Sequence, residues 1–316
     1  MTTSLMSDHQ SGYVDLQVNG YYGIDFNSDE LTAEAIHKAC QRLEADGVAG
    51  ILATIITDEV ERMATRLARF ATLRAADSLV QRIVWGFHIE GPFILNEPGY
   101  VGTHPRSAVC PANVTDMQRL LEAAEGLTRI VTLAPERDAG MAVTRMLADQ
   151  NICVAAGHCN PTLNEIDAAI DAGLSMFTHL GNGCPLELSR HDNIIQRILS
   201  RAERLWISFI ADGVHIPWPA LGNYLKIAGR DRAIVVTDAI SAAGLGPGEY
   251  ELGDQKVIVD EQGATWSADR SHLAGSSATM PQVEERLRRE LALSEDEISQ
   301  LLVYNPQCAI NRQEAT

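Results

Sequence analysis

Seven polar residues stand at the ends of short apolar runs: Gln17, Asn19, Glu90, His158, His179, Asp212 and Asp238. Singly, each would pass as a cap or a satisfied core group, and a lone histidine is more often structural than functional. Together they carry a definite chemistry. A carboxylate and two imidazoles, Glu90, His158 and His179, suit one divalent metal, and three protein ligands leave a position open for water or substrate, as in catalytic zinc sites. A metal so held lowers the pKa of water towards ~7 and polarises a carbonyl. Asp238, between VVT and AIS at the end of a dry run, is then free to carry a proton. Glu90 directly precedes Gly91-Pro92, a turn that aims the carboxylate inward, and the glycine leaves room for a ligand beside the backbone.

Such convergence needs elements that bring distant residues to one rim. Eight runs rich in Val, Ile, Leu and Phe read as strands, at 13–19, 50–57, 83–90, 129–135, 152–158, 175–180, 206–212 and 233–239. Amphipathic patterns separate most of them. The first, LTAEAIHKACQRLEADG (31–47), opens on a Thr32 N-cap and stops at Gly47. EVERMATRLARFATLRAAD, NVTDMQRLLEAAEG, AGMAVTRMLADQ and TLNEIDAAIDAG repeat the form. This alternation predicts an α/β fold, a (β/α)₈ TIM barrel spanning 1–316 as one domain. A doubly wound sheet is the alternative, but VNGYYGID after the first strand is not its glycine-rich phosphate loop. The polar, turn-rich stretch 245–272 reads as a β-hairpin insertion after strand eight. In such barrels the carboxyl ends of the strands hold the active site, and polar groups converging there cost desolvation unless something binds them.

The formal charge of −17 disfavours nucleic acid and anionic membranes as partners, and any anionic ligand needs a local cluster of Arg, His and backbone N–H groups. No run approaches the ~20 apolar residues of a membrane span. The start, MTTSLMSDHQ, has neither the basic nor the apolar region of a secretory signal. The six cysteines include no CxxC spacing, which predicts reduced thiols in a cytoplasmic protein. Cys159 and Cys184 read as packing residues. Asp212 reads as a partner to its own loop, and His88 as a packed strand histidine or a support for Glu90.

The motifs VDLQVNGYYGIDFN, HIEGPF, GTHP, VTLAPE, AAGHCNPT, THLGNGCP, IADGVHI, VTDAISAAG and LAGSSATM run nearly end to end and in order. Through them the sequence resembles the N-acetylglucosamine-6-phosphate deacetylase family of the amidohydrolase superfamily. The resemblance implies that Glu90, His158 and His179 bind one divalent metal per subunit, with Zn²⁺ expected first and Fe²⁺ or another divalent ion second. Gln17-x-Asn19 occupies the slot where most of the superfamily has an HxH metal pair, which favours a single-metal site. Asp238 would take a proton from the attacking water and return it to the leaving amine. His104 would hydrogen-bond the acetamide carbonyl and stabilise the oxyanion. Asn182 and Gly183 would bind the sugar phosphate, Arg190 and His215 would reach that phosphate from a neighbouring subunit of a homodimer, and Leu273 would line the acetyl pocket.

Two departures qualify the resemblance. Strand one begins about a dozen residues in and the chain stops soon after its last helix, so the family's accessory β-sandwich is expected to be missing. SRHDNII alters the surroundings of Arg190 beyond the phosphate loop. The expected activity is metal-dependent hydrolysis of the acetamide of an N-acetyl-hexosamine 6-phosphate. The alternatives are an amidohydrolase acting on another N-acylated amine or cyclic amide, and a non-catalytic sugar-binding barrel.

Overall fold

The computed structural model of the protein describes residues 12–311; the MTTSLMSDHQ stretch lies outside them. The eight anticipated strands are present: β1 Tyr13–Val18, β2 Val48–Ile56, β3 Val84–Glu90, β4 Thr128–Leu133, β5 Cys153–Ala156, β6 Leu174–Phe177, β7 Trp206–Ile210 and β8 Ala233–Val236. They pair in parallel in chain order, β1 to β8. Helices alternate with them. The Thr32 hydroxyl accepts from the Ala35 amide and starts the helix Ala33–Ala45, as its sequence predicts. The next run forms one helix, Val60–Ala75, and beyond it the Asp77 carboxylate accepts from Leu79 and Val80, opening a separate, unanticipated short helix, Ser78–Ile83.

The seam between β1 and β8 closes the barrel by means other than a regular ladder. A register shift between Asp15 and Val18 marks a bulge in β1. There the buried Asp15 carboxylate accepts from the Thr237 hydroxyl at 2.6 Å, the Thr237 amide at 3.3 Å and the Gln17 amide at 3.2 Å. Beyond it, Val18 bridges Ala239 in parallel, and the Asn19 amide donates to the Ala239 carbonyl at 2.7 Å. Asp15 was not singled out in the sequence; its importance depends on a strand more than two hundred residues away.

Apolar side chains, among them Val14, Leu16, Leu52, Ile130 and Ile234, form a buried cluster that shares these strands. A chain of hydroxyls and an imidazole lies nearer the mouth. The carbonyl of Leu16 can only accept, so Nδ1 of His88 carries the hydrogen (3.1 Å) and its Nε2 accepts from Thr132 at 2.7 Å, leaving Thr132 to accept from Thr178 at 2.8 Å. Burial pushes His88 down to about 4, so it is a neutral packed histidine.

The insertion after β8 is larger than the expected hairpin. Its first two strands, β9 Gly248–Leu252 and β10 Gln255–Val259, are antiparallel, and a third, β11 Thr265–Ser267, pairs with β10. The sheet has its own apolar cluster, in which Leu252, Val257 and Val259 pack with Ile240 and with Ile56 at the end of β2.

Asp15→Ala should lower the urea midpoint by an amount equivalent to roughly 2–4 kcal/mol, since it strands the buried donors of Thr237 and Gln17 at the seam. A midpoint unchanged from wild type would show that the seam does not depend on this carboxylate.

Candidate active site

Four buried side chains from separate segments meet at the barrel mouth. Oε1 of Glu90 lies 2.9 Å from Nε2 of His179 and 3.5 Å from Nε2 of His158. Nε2 of His104 lies 3.3 Å from Nε2 of His158. The Gln17 amide holds Glu90 from below, donating to both carboxylate oxygens at 3.2 and 3.3 Å. Burial opposes ionisation of Glu90, yet the imidazoles of His158 and His179 outweigh it and keep the carboxyl well below its usual range. Gly91 makes the turn possible: its φ is +83°, and a Cβ there would sit 2.0 Å from the Thr57 hydroxyl.

The tautomers follow from the acceptors. Nδ1 of His158 lies 2.7 Å from the Tyr100 carbonyl, so it carries the hydrogen and Nε2 presents a lone pair towards Glu90 and His104. Nε2 of His104 therefore carries its hydrogen towards that lone pair. Burial, then the neighbouring His158, push His104 down to about 3, which keeps it neutral. Gly183, at φ +60°, lies against the His158 ring, where a Cβ would come within 2.9 Å of Nδ1.

These residues fit a divalent metal. One ligand atom each from Glu90, His104 and His158 lies within 4.8 Å of the others, the His158 lone pair is pre-aimed by its bond to Tyr100, and Nδ1 of both His104 and His179 is buried without a hydrogen-bond partner. His104 thus stands beside Glu90 and His158 along with the anticipated His179, which makes the shorter contact with Glu90. All four groups face one space.

Asp238 lies opposite. The Asn19 amide donates to its Oδ1 at 2.7 Å. Burial, then the charge of Glu90, push its carboxyl up to about 6. The strand-one pair thus divides its work: Gln17 holds Glu90 and Asn19 holds Asp238. His158, His179 and Asp238 all adopt positive φ, at 49°, 36° and 51°. This backbone region is costly for residues with a Cβ, and its use by three residues at one rim is the pattern expected of a functional site.

The remaining anticipated residues are placed differently. The His215 side chain is packed against its own loop, its Nδ1 2.7 Å from the Asp212 carboxylate. Asp212 serves its own loop, as anticipated, accepting from the amides of Val214 and His215. Asn182 is half-buried and donates to the His179 carbonyl at 3.3 Å. Arg190 is exposed on the same loop. Leu273 is half-buried and its backbone bridges Trp266 within the insertion. The small central cavity is lined by Ile56, Thr103, Leu252 and Gly275, together with Asn19, Glu90, His104, His158, His179 and Asp238. Thr103 and Gly275 fall inside the motifs GTHP and LAGSSATM, which could have flagged them; nothing local marks Ile56 or Leu252. The larger clefts lie elsewhere, one at Trp85, Arg129 and Ile310 and one at Asp25 and Tyr250, and neither contains the clustered imidazoles.

Eight parallel strands, with a Glu/His cluster able to hold a metal and a separate buried aspartate at their carboxyl rim, define a barrel of the amidohydrolase type. A comparison with protein-family profiles finds no match. Individual relatives do match. The N-acetylglucosamine-6-phosphate deacetylase of Bacillus subtilis (strain 168) is 30% identical over 296 residues, covering 93% of this chain and 73% of that protein. The N-acetylgalactosamine-6-phosphate deacetylase of Shewanella sp. (strain ANA-3) is 32% identical over 304 residues, covering 96% of this chain and 74% of that protein. An aspartate-to-alanine variant of the Mycobacterium smegmatis N-acetyl-D-glucosamine-6-phosphate deacetylase, solved in complex with N-acetyl-D-glucosamine-6-phosphate, superposes with a TM-score of 0.86 at 28% identity, covering 95% of this chain and 77% of that one. The chain belongs to the N-acetylglucosamine-6-phosphate deacetylase family, whose members are hydrolases of the amide bond.

Metal affinity should weaken as pH falls. Burial lowers the pKa of His179, but its bond to Glu90 and the charge there more than compensate and raise it above the ordinary 6.5, so its proton competes more strongly at low pH. Competition against a chromophoric chelator at pH 6 and pH 8 should give the tighter complex at pH 8. Gly183→Ala should weaken the same binding at either pH by displacing His158.

Proposed function

We propose that this chain hydrolyses the acetamide of an N-acetylhexosamine 6-phosphate to acetate and the free amino sugar phosphate. The observation that carries the reading is the pairing of Asp238 with Asn19 across one small space from Glu90, His104, His158 and His179, in a chain matched over most of its length by deacetylases of such sugars. The family resemblance and the acidic net charge both leave the substrate a small molecule.

Glu90, His158 and His179 would hold one divalent metal, Zn²⁺ first and Fe²⁺ as the alternative. His158 and His179 share the same Glu90 oxygen, whereas His104 touches His158; this favours His179 over His104 as the third ligand. The metal would supply Lewis acidity, polarising the acyl carbonyl and making water a better nucleophile. The other work belongs to the protein. Asn19 occupies Oδ1 of Asp238, which leaves Oδ2 to take the proton from the attacking water as its oxygen bonds to the acyl carbon. Neutral His104 has a hydrogen on Nε2 to donate to the carbonyl oxygen as negative charge gathers there. Asp238 then returns its proton to the nitrogen as the C–N bond breaks, so that the amine leaves neutral together with acetic acid, which releases its remaining proton to solvent as acetate.

Arg190 is the proposed phosphate contact. It is exposed on the loop that also carries the fully exposed Leu186. An exposed leucine beside an unburied arginine fits a surface covered by a second copy, and we propose a homodimer on that basis. A cytoplasmic location is part of this proposal; the cysteines are free among the described residues, and no helix there is long and apolar enough to cross a membrane.

Four variants test these roles by acetate release and metal content. Asp238→Asn should keep its metal and lose turnover by at least a hundredfold. His104→Ala should also keep its metal while losing turnover, whereas His179→Ala should lose the metal; the reverse pattern would exchange their roles. Arg190→Ala should raise KM for the 6-phosphate sugar more than tenfold and leave the unphosphorylated sugar unaffected. Equal turnover of phosphorylated and unphosphorylated sugars by the wild type would favour the alternative of another N-acylated amine. Light scattering should give twice the chain mass.

A further inference from the structure

The central cavity has one apolar wall. Its volume is about 40 Å³, room for a very small group but not for a hexose ring. The part of a substrate that enters it is therefore the acyl group, with the sugar outside. Most of the lining is polar and belongs to the reacting groups; the two large apolar side chains are Ile56 and Leu252. An acyl carbon placed between Asp238 and His104 must direct its tail towards the only surface that does not cost desolvation of a polar group. That surface is the Ile56/Leu252 pair.

The wall is held firmly. Ile56 and Leu252 are 6% and 4% exposed, and Ile240, Val257 and Val259 pack in the same cluster. The Ile56 amide donates to the Asn27 side chain at 3.0 Å. On either side of Leu252, the Ser241 hydroxyl bonds the Glu251 carbonyl at 2.5 Å and the Gly253 amide bonds the Asp25 carboxylate at 2.6 Å. A side chain fixed from behind and from both flanks cannot swing aside for a longer guest, and close-packed interiors tolerate little added volume.

We propose that Leu252, backed by Ile56, is the specificity wall that limits the acyl group to acetyl. This rests on the deacetylase reading and extends it to a residue of the insertion.

The test compares kcat/KM for N-acetyl-, N-propionyl- and N-butyryl-glucosamine 6-phosphate, following release of the free amine from metal-loaded enzyme. The wild type should strongly prefer acetyl. Leu252→Ala should raise the butyryl-to-acetyl ratio at least tenfold, the discrimination that a methylene or more carries in an apolar pocket. Ile56→Val, which removes one methylene and preserves the fold, should raise the propionyl-to-acetyl ratio several-fold and decides the matter if Leu252→Ala does not fold. Unchanged ratios in the folded variants, with acetyl hydrolysis intact, would overturn the wall and leave the deacetylase reading standing. A metal-loaded wild type that releases amine from none of the three sugars would overturn that reading, and the wall with it.

Discussion

A negative charge kept out of water at the mouth of the barrel is the constraint around which the site is built. Glu90 is buried, and an isolated carboxylate there would cost several kcal/mol and would simply take up a proton. It stays ionised because Gln17 donates from β1 while His158 and His179 approach from the ends of β5 and β6. No one segment could supply those partners. The charge is tolerable only once the sheet has curled far enough to bring β1, β3, β5 and β6 to a common axis. Closure and chemistry are therefore coupled: the Asp15–Thr237 seam that joins β1 to β8 also sets where Gln17 and Asn19 point.

The same coupling explains the backbone. His158, His179 and Asp238 depart from their strands through positive φ, at a cost of order 1–3 kcal/mol each. A regular strand would turn alternate side chains outward or along the wall; the left-handed step re-aims each one across the mouth. The surroundings hold these steps in place. Tyr100 and Gly183 bracket His158, the Ser208 hydroxyl accepts from the His179 amide at 2.8 Å, and Ser276 donates from its amide to the Asp238 carbonyl at 2.8 Å.

Much of this was legible in the chain itself. Strands of Val and Ile punctuated by helical periodicity declare the barrel, and Glu90, His158, His179 and Asp238 can be read as rim residues because each ends such a strand. What was hidden depends on contacts between distant segments. Which of Gln17 and Asn19 serves which carboxylate is settled by a bulge and a seam, neither of which has a local signature. The pairing of His215 with Asp212 three residues earlier depends on the turn between them. Leu252 sits in an ordinary alternating strand, EYEL, and gains significance only because the sheet that carries it folds back over β2. The third strand of that sheet was missed because the turn-rich stretch around TWS offers just three residues to extend the ladder.

The insertion is fastened to the barrel at widely separated points. Arg62 on the helix after β2 grips Asp254, Asp25 near the end of β1 receives the Gly253 amide, and Gln255 bonds the carbonyl of Thr103 beside His104. A roof pinned to three different sectors is a poor door. Leu252, which lines the chamber, is thereby held in place along with the sheet that carries it.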